Sequence, residues 1–266
     1  MNENEKLQVT LEAGVKRITF NNPARRNAID FGMFEAFARA VEESDGDASR
    51  VVVITGAGGF FCAGLDMGSI SPAELAALDV AARIRELINP PVRRMRESPK
   101  PFVARVEGPA AGIGFSYVLA SDFVVASEDA TFSQSFVRVG LMPDGGATHL
   151  LPALVGRAKA FELMTTGSTL TAADALALGI VNRVVPRESL DAAVEEATAL
   201  LAAAPQPSLA RIKAALNLAD RAGLEAALDF EARGQAECFA SADFLEGVTA
   251  FMQKRAPRFG KGQDNP

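Results

Sequence analysis

Two segments carry a residue pattern that could stabilise a developing negative charge. Val51-Val52-Val53-Ile54 runs into a glycine turn, Gly56 to Gly59, and then into Phe60-Phe61-Cys62-Ala63-Gly64-Leu65-Asp66-Met67. Phe102 to Val106 runs into Gly108-Pro109-Ala110-Ala111-Gly112-Ile113-Gly114. In each, an apolar run ends in small residues that leave backbone N–H groups uncovered. Two such donors aimed at one point form an oxyanion hole. The second segment also opens a helix, where the dipole favours negative charge. The alternative is that these glycines serve only tight turns and close packing. Neither segment is a phosphate loop, because no Gly-Lys-Ser/Thr follows. Gly112-Ile113-Gly114-Phe115-Ser116 also lacks the Gly-x-Ser-x-Gly spacing of a nucleophile elbow.

Other chemistries find little support. The one histidine, His149, argues against a zinc site and against a Ser-His-Asp triad. Cys62 and Cys238 are far apart and lack metal-ligand spacing, which points to two thiols in a reducing compartment. A net charge of −6 disfavours nucleic acid as a partner. Met1 to Lys6 is polar, and no apolar run approaches the ~20 residues of a membrane span. A cytoplasmic protein is expected, with no metal.

The elements that must position the two segments are legible in outline. Residues 7–12 and 15–20 alternate around Ala13-Gly14, the pattern of a β-hairpin. Asp30 reads as the N-cap of a helix to about Glu43, with Phe31, Phe34, Phe37, Ala38 and Val41 on one face. Val51 to Ile54 and Phe102 to Val106 are continuous apolar runs, as in strands covered on both faces. Asp122 to Ala126 is a third such strand and Ala130 to Ser133 a possible fourth. Ser71-Pro72 opens a helix that Asn89-Pro90-Pro91 interrupts. From Arg157 the chain is mostly helical, with segments near 157–165, 172–178, 188–203, 207–220, 224–239 and 242–254. The fold class is therefore α/β, with a core over residues 1–200 and a helical region over 201–266.

Several motifs in order make the chain resemble the crotonase, or enoyl-CoA hydratase/isomerase, superfamily. They are Asn22-Pro23-Ala24-Arg25-Arg26-Asn27-Ala28, Phe61 to Met67, and Gly108 to Gly114 with Ala120-Ser121-Asp122. Gly140-Leu141-Met142-Pro143-Asp144-Gly145-Gly146, Ala172 to Ala175 leading to Gly179-Ile180-Val181, and Phe251 to Phe259 complete the set. The resemblance implies a spiral of ββα units, a helical C-terminal oligomerisation region, and a homotrimer or dimer of trimers. It implies that coenzyme A enters as part of an acyl-CoA thioester substrate, with no separate cofactor. By position, it makes the N–H groups of Ala63 and Ile113 the oxyanion donors. It places Arg25 and Arg26 along the pantetheine and phosphates. Ala28, Gly64, Leu65, Asp66 and Met67 would wall the adenine and pantetheine, with Gly112 and Phe136 at the acyl site. Phe251 and Lys254 match a helix that reaches the nucleotide end.

The reaction is narrowed by a departure from the hydratase pattern. Hydratases of this family use two glutamates on water, and the matching positions here hold Ser116 and Phe136. Neither is a general base at neutral pH. Asp144 is the remaining candidate, and an aspartate there resembles the double-bond isomerase branches. These include dienoyl-CoA isomerases and the ring-1,2-epoxyphenylacetyl-CoA isomerase of phenylacetate breakdown. One carboxylate suits a 1,3-proton shift through a thioester enolate, and apolar neighbours would raise its pKa. Alternatively Asp144 only caps the Gly145-Gly146 turn or the next helix. A hydratase, a hydrolase, a dehalogenase-type attack and a non-catalytic acyl-CoA-binding oligomer are the competing readings. Phe115, Phe132 and Phe136 are expected either around an apolar acyl pocket or in the core.

Overall fold

The chain opens with the expected hairpin: β1, Leu7–Glu12, pairs antiparallel with β2, Val15–Phe20. The structure is a computed structural model that describes residues 6–71, 73, 79–219, 242–255 and 257–260. Helix α1, Phe31–Glu43, begins where the Asp30 side chain accepts from the Met33 N–H at 2.9 Å. It buries Met33, Phe34, Phe37, Ala40 and Val41, the face set by its apolar spacing.

Strand β3, Val51–Gly56, is buried at every residue, as its unbroken apolar run requires. It pairs parallel with β2 on one side and with β4, Phe102–Val106, on the other. Between β3 and β4 the chain forms a short helix α2, Val80–Arg83, a π-helical turn, Ile84–Ile88, and α3, Asn89–Glu97. The π turn has a local cause. Pro90 and Pro91 have no N–H to donate, and the Asn89 N–H bonds back to Ile84 O, five residues earlier.

After β4 come β5, Pro109–Ala111, helix α4, Ile113–Ala120, and strands β6, Phe123–Ser127, and β7, Thr131–Ser133. Helix α5, Ala147–Thr166, is broken at Gly156, whose φ of 76° and ψ of 160° are not helical. Strand β8, Thr169–Thr171, leads to α6, Ala172–Ala177, whose Thr171 and Asp174 form a capping box. Strand β9, Arg183–Val185, precedes α7, Leu190–Ala203, α8, Gln206–Ala219, and α9, Ala242–Met252.

The strands form one six-stranded sheet, β1-β2-β3-β4-β6-β9, and one three-stranded sheet, β5-β7-β8. Alternate residues of the larger sheet serve different layers. Val52, Ile54, Phe102, Ala104 and Val124 face the main core with α1 and α4. Val51, Val53, Val103 and Val125 face Leu190, Val194 and Ala197 of α7.

Three differences from the sequence expectation concern short or interrupted elements. β5 occupies part of what reads as a glycine turn, and β8 and β9 are three-residue strands without a periodic signal. The helical stretch begins at Ala147 rather than Arg157, because Pro152 and Gly156 disguise its first half. The expected helix near 224–239 lies outside the described residues. No described helix is long and apolar enough to cross a membrane.

One buried cation ties α8 to the sheet layer. Lys213 Nζ donates to Met95 O at 2.5 Å, to Lys100 O at 2.9 Å and to Asp122 Oδ2 at 2.6 Å, and lies 5.0 Å from the Phe102 ring centroid. Burial pulls Asp122 up and Lys213 down, so each charge is held against desolvation by the other. Lys213→Met leaves the Asp122 carboxylate unpaired and should cost about 3 kcal/mol in urea unfolding, whereas the Asp122→Leu/Lys213→Met pair should cost less than the single change.

Candidate active site

The two glycine segments meet edge to edge. Cys62 and Ala110 form a bridge, with Cys62 N donating to Pro109 O at 3.2 Å and Ala111 N to Cys62 O at 2.8 Å. A Cβ on Gly114 would fall 2.6 Å from Cys62 O, so only glycine lets the segment approach this closely. A Cβ on Gly112 would come within 3.8 Å of both Gly64 Cα and the Phe136 ring. The loop carrying Gly64 and the start of α4 are therefore neighbours across a gap that Phe136 borders.

Donor geometry corrects one expectation. The Ala63 N–H donates to Arg26 O at 3.0 Å, and Ala63 is exposed, so its N–H is already used. The neighbouring donor is Leu65. Ile29 N donates to Gly64 O at 2.8 Å and Asp66 N to Ile29 O at 2.9 Å, which completes the Ile29–Leu65 bridge. Ile29 makes both bonds of this parallel bridge, so the N–H and C=O of Leu65, which lies between Gly64 and Asp66, point to the other side. Leu65 N–H is thus turned from Ile29, and Leu65 lines the adjoining cavity. Ile113 is the first residue of α4, so its N–H has no intrahelical acceptor. Ile113 itself is buried.

The cavity beside these donors measures about 450 Å³. Its walls come from α1 (Phe31, Phe34), from the α2 and π-turn face (Val80, Arg83, Ile84, Leu87, Ile88), and from Phe136 and the 141–146 turn. The spacing of residues 80, 83, 84, 87 and 88 is a helical stripe, a sequence signal for this wall. Phe115 and Phe132 are core residues instead, packed ring to ring at 5.4 Å and fully buried.

Asp144 is the one carboxylate among the described residues that line this cavity. Its carbonyl is fixed by Ser116 Oγ at 3.0 Å and by Ala147 N at 3.2 Å. A Cβ on Gly145 would lie 2.4 Å from Ile113 Cδ1, so the aspartate turn sits directly on the residue that opens α4. The Asp144 Oδ1 atom is buried and has no hydrogen-bond partner among the described residues. Helix α5 is capped by Gly146 without any side-chain bond, so the Asp144 side chain does not serve as its cap. Burial pushes this carboxyl up to about 6, against the pull of its own backbone N–H.

The other candidates fall into place around this centre. Ser116 is fully buried and its hydroxyl is spent on Asp144 O. Burial pushes the Cys62 thiol up to about 12, although the Gly64 N–H donates to its Sγ at 3.4 Å, which fits packing rather than nucleophilic chemistry. His149 is exposed on α5. No group of three or more metal-ligating side chains occurs among the described residues.

The segment expected along coenzyme A is organised by a buried asparagine. Asn27, buried with φ 57°, accepts from Asn22 N and donates to Ala57 O at 2.9 Å and Phe60 O at 2.7 Å. It joins the loop of Arg25 and Arg26 to the glycine turn, a role missed in the sequence although asparagine tolerates left-handed backbone. Arg25 Nη2 pairs with Asp66 Oδ1 at 2.6 Å and holds that carboxyl below its ordinary range. Arg26 is exposed, 5.9 Å from the Phe60 ring centroid, and makes no ion pair among the described residues. Ala28 and Gly64 are buried, Met67 is exposed, and Gly112 caps α4. Lys254 is exposed just beyond α9. The side chain of Phe251 lies outside the described residues, as do Glu237 and Cys238.

A second cavity of about 460 Å³ lies between α4, α5 and α8, and its Asp122 and Lys213 face each other in the ion pair already described. It contains no counterpart of the unpartnered Asp144 oxygen.

The chain resembles known proteins over nearly its whole length. A family model described as enoyl-CoA hydratase/isomerase matches residues 10–263. The chain is 37% identical to the 1,2-epoxyphenylacetyl-CoA isomerase of Escherichia coli K12, over 94% of this chain and 96% of that protein. It is 33% identical to the 2,3-dehydroadipyl-CoA hydratase of the same organism, over 95% and 98%. Among solved structures, an enoyl-CoA hydratase from Polaromonas sp. JS666 superposes with a TM-score of 0.89 at 34% identity, covering 95% of this chain and 98% of that one. The mixed sheet with its helical C-terminal region is the crotonase fold, and the chain belongs to the enoyl-CoA hydratase/isomerase family.

Proposed function

We propose that this protein is an enoyl-CoA isomerase that moves a double bond through a thioester enolate, with Asp144 as its acid and base. The observation that carries this reading is the buried Asp144 Oδ1, which has no partner among the described residues and stands on the wall of an otherwise mostly apolar cavity. The acyl-CoA thioester would lie with its carbonyl oxygen between the Leu65 and Ile113 N–H groups. Each donor would contribute about 3–4 kcal/mol toward the enolate, as a typical oxyanion-hole donor does. With Arg25 held by Asp66, Arg26 is the better placed of the two cations for the coenzyme A phosphates.

The chemistry follows from one base and little water. A carboxylate takes a proton from the carbon next to the thioester carbonyl of a 3-enoyl group. The electrons left behind conjugate through the double bond and collect on the thioester oxygen. The resulting carboxylic acid returns a proton two carbons away, which leaves a 2-enoyl thioester. A carboxyl titrating near 6 suits both halves, since it is mostly ionised at neutral pH and still basic enough to hold a proton briefly. Hydration would need a second group to activate water. Ser116 donates to a backbone carbonyl, and Phe136 presents a ring to the cavity.

Two outcomes are expected. Asp144→Asn should lower conversion of 3-enoyl-CoA to 2-enoyl-CoA by about 10³-fold, followed spectrophotometrically, with thioester binding retained. The wild-type kcat/KM should rise with pH and level off above about 6, the value to which burial lifts Asp144. The same shift sets stability. The folded carboxyl titrates at about 6 against 3.8 for a free one, so its contribution is fully present below 3.8 and lost as pH rises through 6. Above pH 6 the Asp144→Asn protein should therefore be more stable than wild type by about 3 kcal/mol in denaturant unfolding.

A further inference from the structure

The chain has one tyrosine, Tyr117 on α4, and no tryptophan. Its ring belongs to the core, with its centroid 4.6 Å from that of Phe37 and 6.2 Å from that of Phe20. A phenylalanine would make the same contacts. The hydroxyl is what needs explaining, because Oη is buried with no hydrogen-bond partner among the described residues, and an unpaired buried hydroxyl is costly. Asp144 Oδ1 is buried and unpartnered in the same way. The two groups share one corner of the fold. Ser116, next to Tyr117 on α4, holds Asp144 O through its hydroxyl, and a Cβ on Gly114 of the same helix would lie 2.9 Å from Cys62 Sγ. Burial lifts the Tyr117 phenol well above its ordinary range, and the charges of Cys62 and Asp144 add to the rise. Carboxylate and phenol are therefore within electrostatic reach but make no hydrogen bond to each other, a separation that one bridging water spans.

We infer that Tyr117 is a positioning residue for Asp144: its hydroxyl donates to a buried water, which donates in turn to Asp144 Oδ1. The bridge satisfies both orphaned atoms and leaves the other carboxylate oxygen for the substrate proton. It also favours the charged form of the carboxyl. The neighbouring groups do not take that part. The Ser116 hydroxyl is spent on a carbonyl, and the Cys62 thiol, pushed up to about 12, stays neutral. Facing the cavity, α1, the π turn and α3 bring only neutral side chains, and Thr148 of α5 is neutral too. Arg83 on α2 and the exposed His149 on α5 have no part in the shift of Asp144, which burial and its own N–H govern. This role rests on the reading that Asp144 is the acid and base.

With one tyrosine and no tryptophan, intrinsic emission reports Tyr117 alone. A pH titration of wild-type emission should show a loss centred near 6, where the phenol gains an ionised acceptor through the water, and Asp144→Asn should abolish that step. This measurement needs no variant at Tyr117. Tyr117→Phe keeps the ring contacts and removes only the hydroxyl, with folding checked by circular dichroism. It should lower kcat about tenfold with KM unchanged, and should move the rise of kcat/KM from near 6 to about 7. A hydroxyl with only a packing role would move neither the emission nor the pH profile. Flat wild-type emission through pH 6, an equal step in Asp144→Asn, or a Tyr117→Phe profile that still rises near 6 would overturn the inference. If the isomerase reading alone fails, the emission step persists in wild type and is lost in Asp144→Asn, while 3-enoyl thioesters are not converted.

Discussion

Two backbone N–H groups can face one oxygen only if two chain segments approach each other with no side chain between them. That close approach is the constraint on which the rest of this structure depends. Gly64, Gly112 and Gly114 permit it, and the Cys62–Ala110 bridge holds it. The parallel sheet delivers both segments from the ends of adjacent strands, β3 and β4, so their spacing is set by strand pairing rather than by loop conformation. The small β5-β7-β8 sheet then fixes the entry into α4, because Gly112 N donates to Ser133 O at 3.0 Å beside it. A rigid frame of this kind meets developing charge without reorganising.

Around that frame the protein places one carboxylate and keeps its surroundings apolar. Ser116 shows how the same backbone can serve different chemistry. Its hydroxyl reaches Asp144 O and steadies the turn from which the carboxyl projects. Phe136, at the other position where hydratases of the family carry a glutamate, borders the gap between the two donors. On the proposed reading, a site with one buried acid and no glutamate at either position moves a proton rather than adding water. The stability lost by burying Asp144 above pH 6 is the counterpart of its usefulness as a base.

Much of this was legible in the sequence where the physics is local. The doubly buried strands announce themselves as unbroken apolar runs, and Asp30 announces α1 as its cap. Asp144 was identified by what Ser116 and Phe136 cannot do, and its burial and lack of a partner are compatible with that choice. Orientation was not legible. Sequence places Ala63 and Leu65 in the same loop, but only the bridge to Ile29 decides which N–H is turned outward. Phe115 and Phe132 are as aromatic as Phe136, yet tertiary packing sends them to the core. The helical spacing from Val80 to Ile88 is visible in the sequence, but its place in a cavity wall depends on Phe31 and Phe34 of α1 lining the same space.

The proposed reaction moves a proton with one carboxylate and adds no water. The most direct test is isotopic: 3-enoyl-CoA deuterated at the carbon next to the thioester, turned over in ordinary water, with products resolved by mass spectrometry and NMR. The account predicts 2-enoyl-CoA carrying part of that deuterium two carbons away, the mark of a single acid handing back what it removed. Accumulation of 3-hydroxyacyl-CoA with a solvent oxygen at carbon 3 would contradict it.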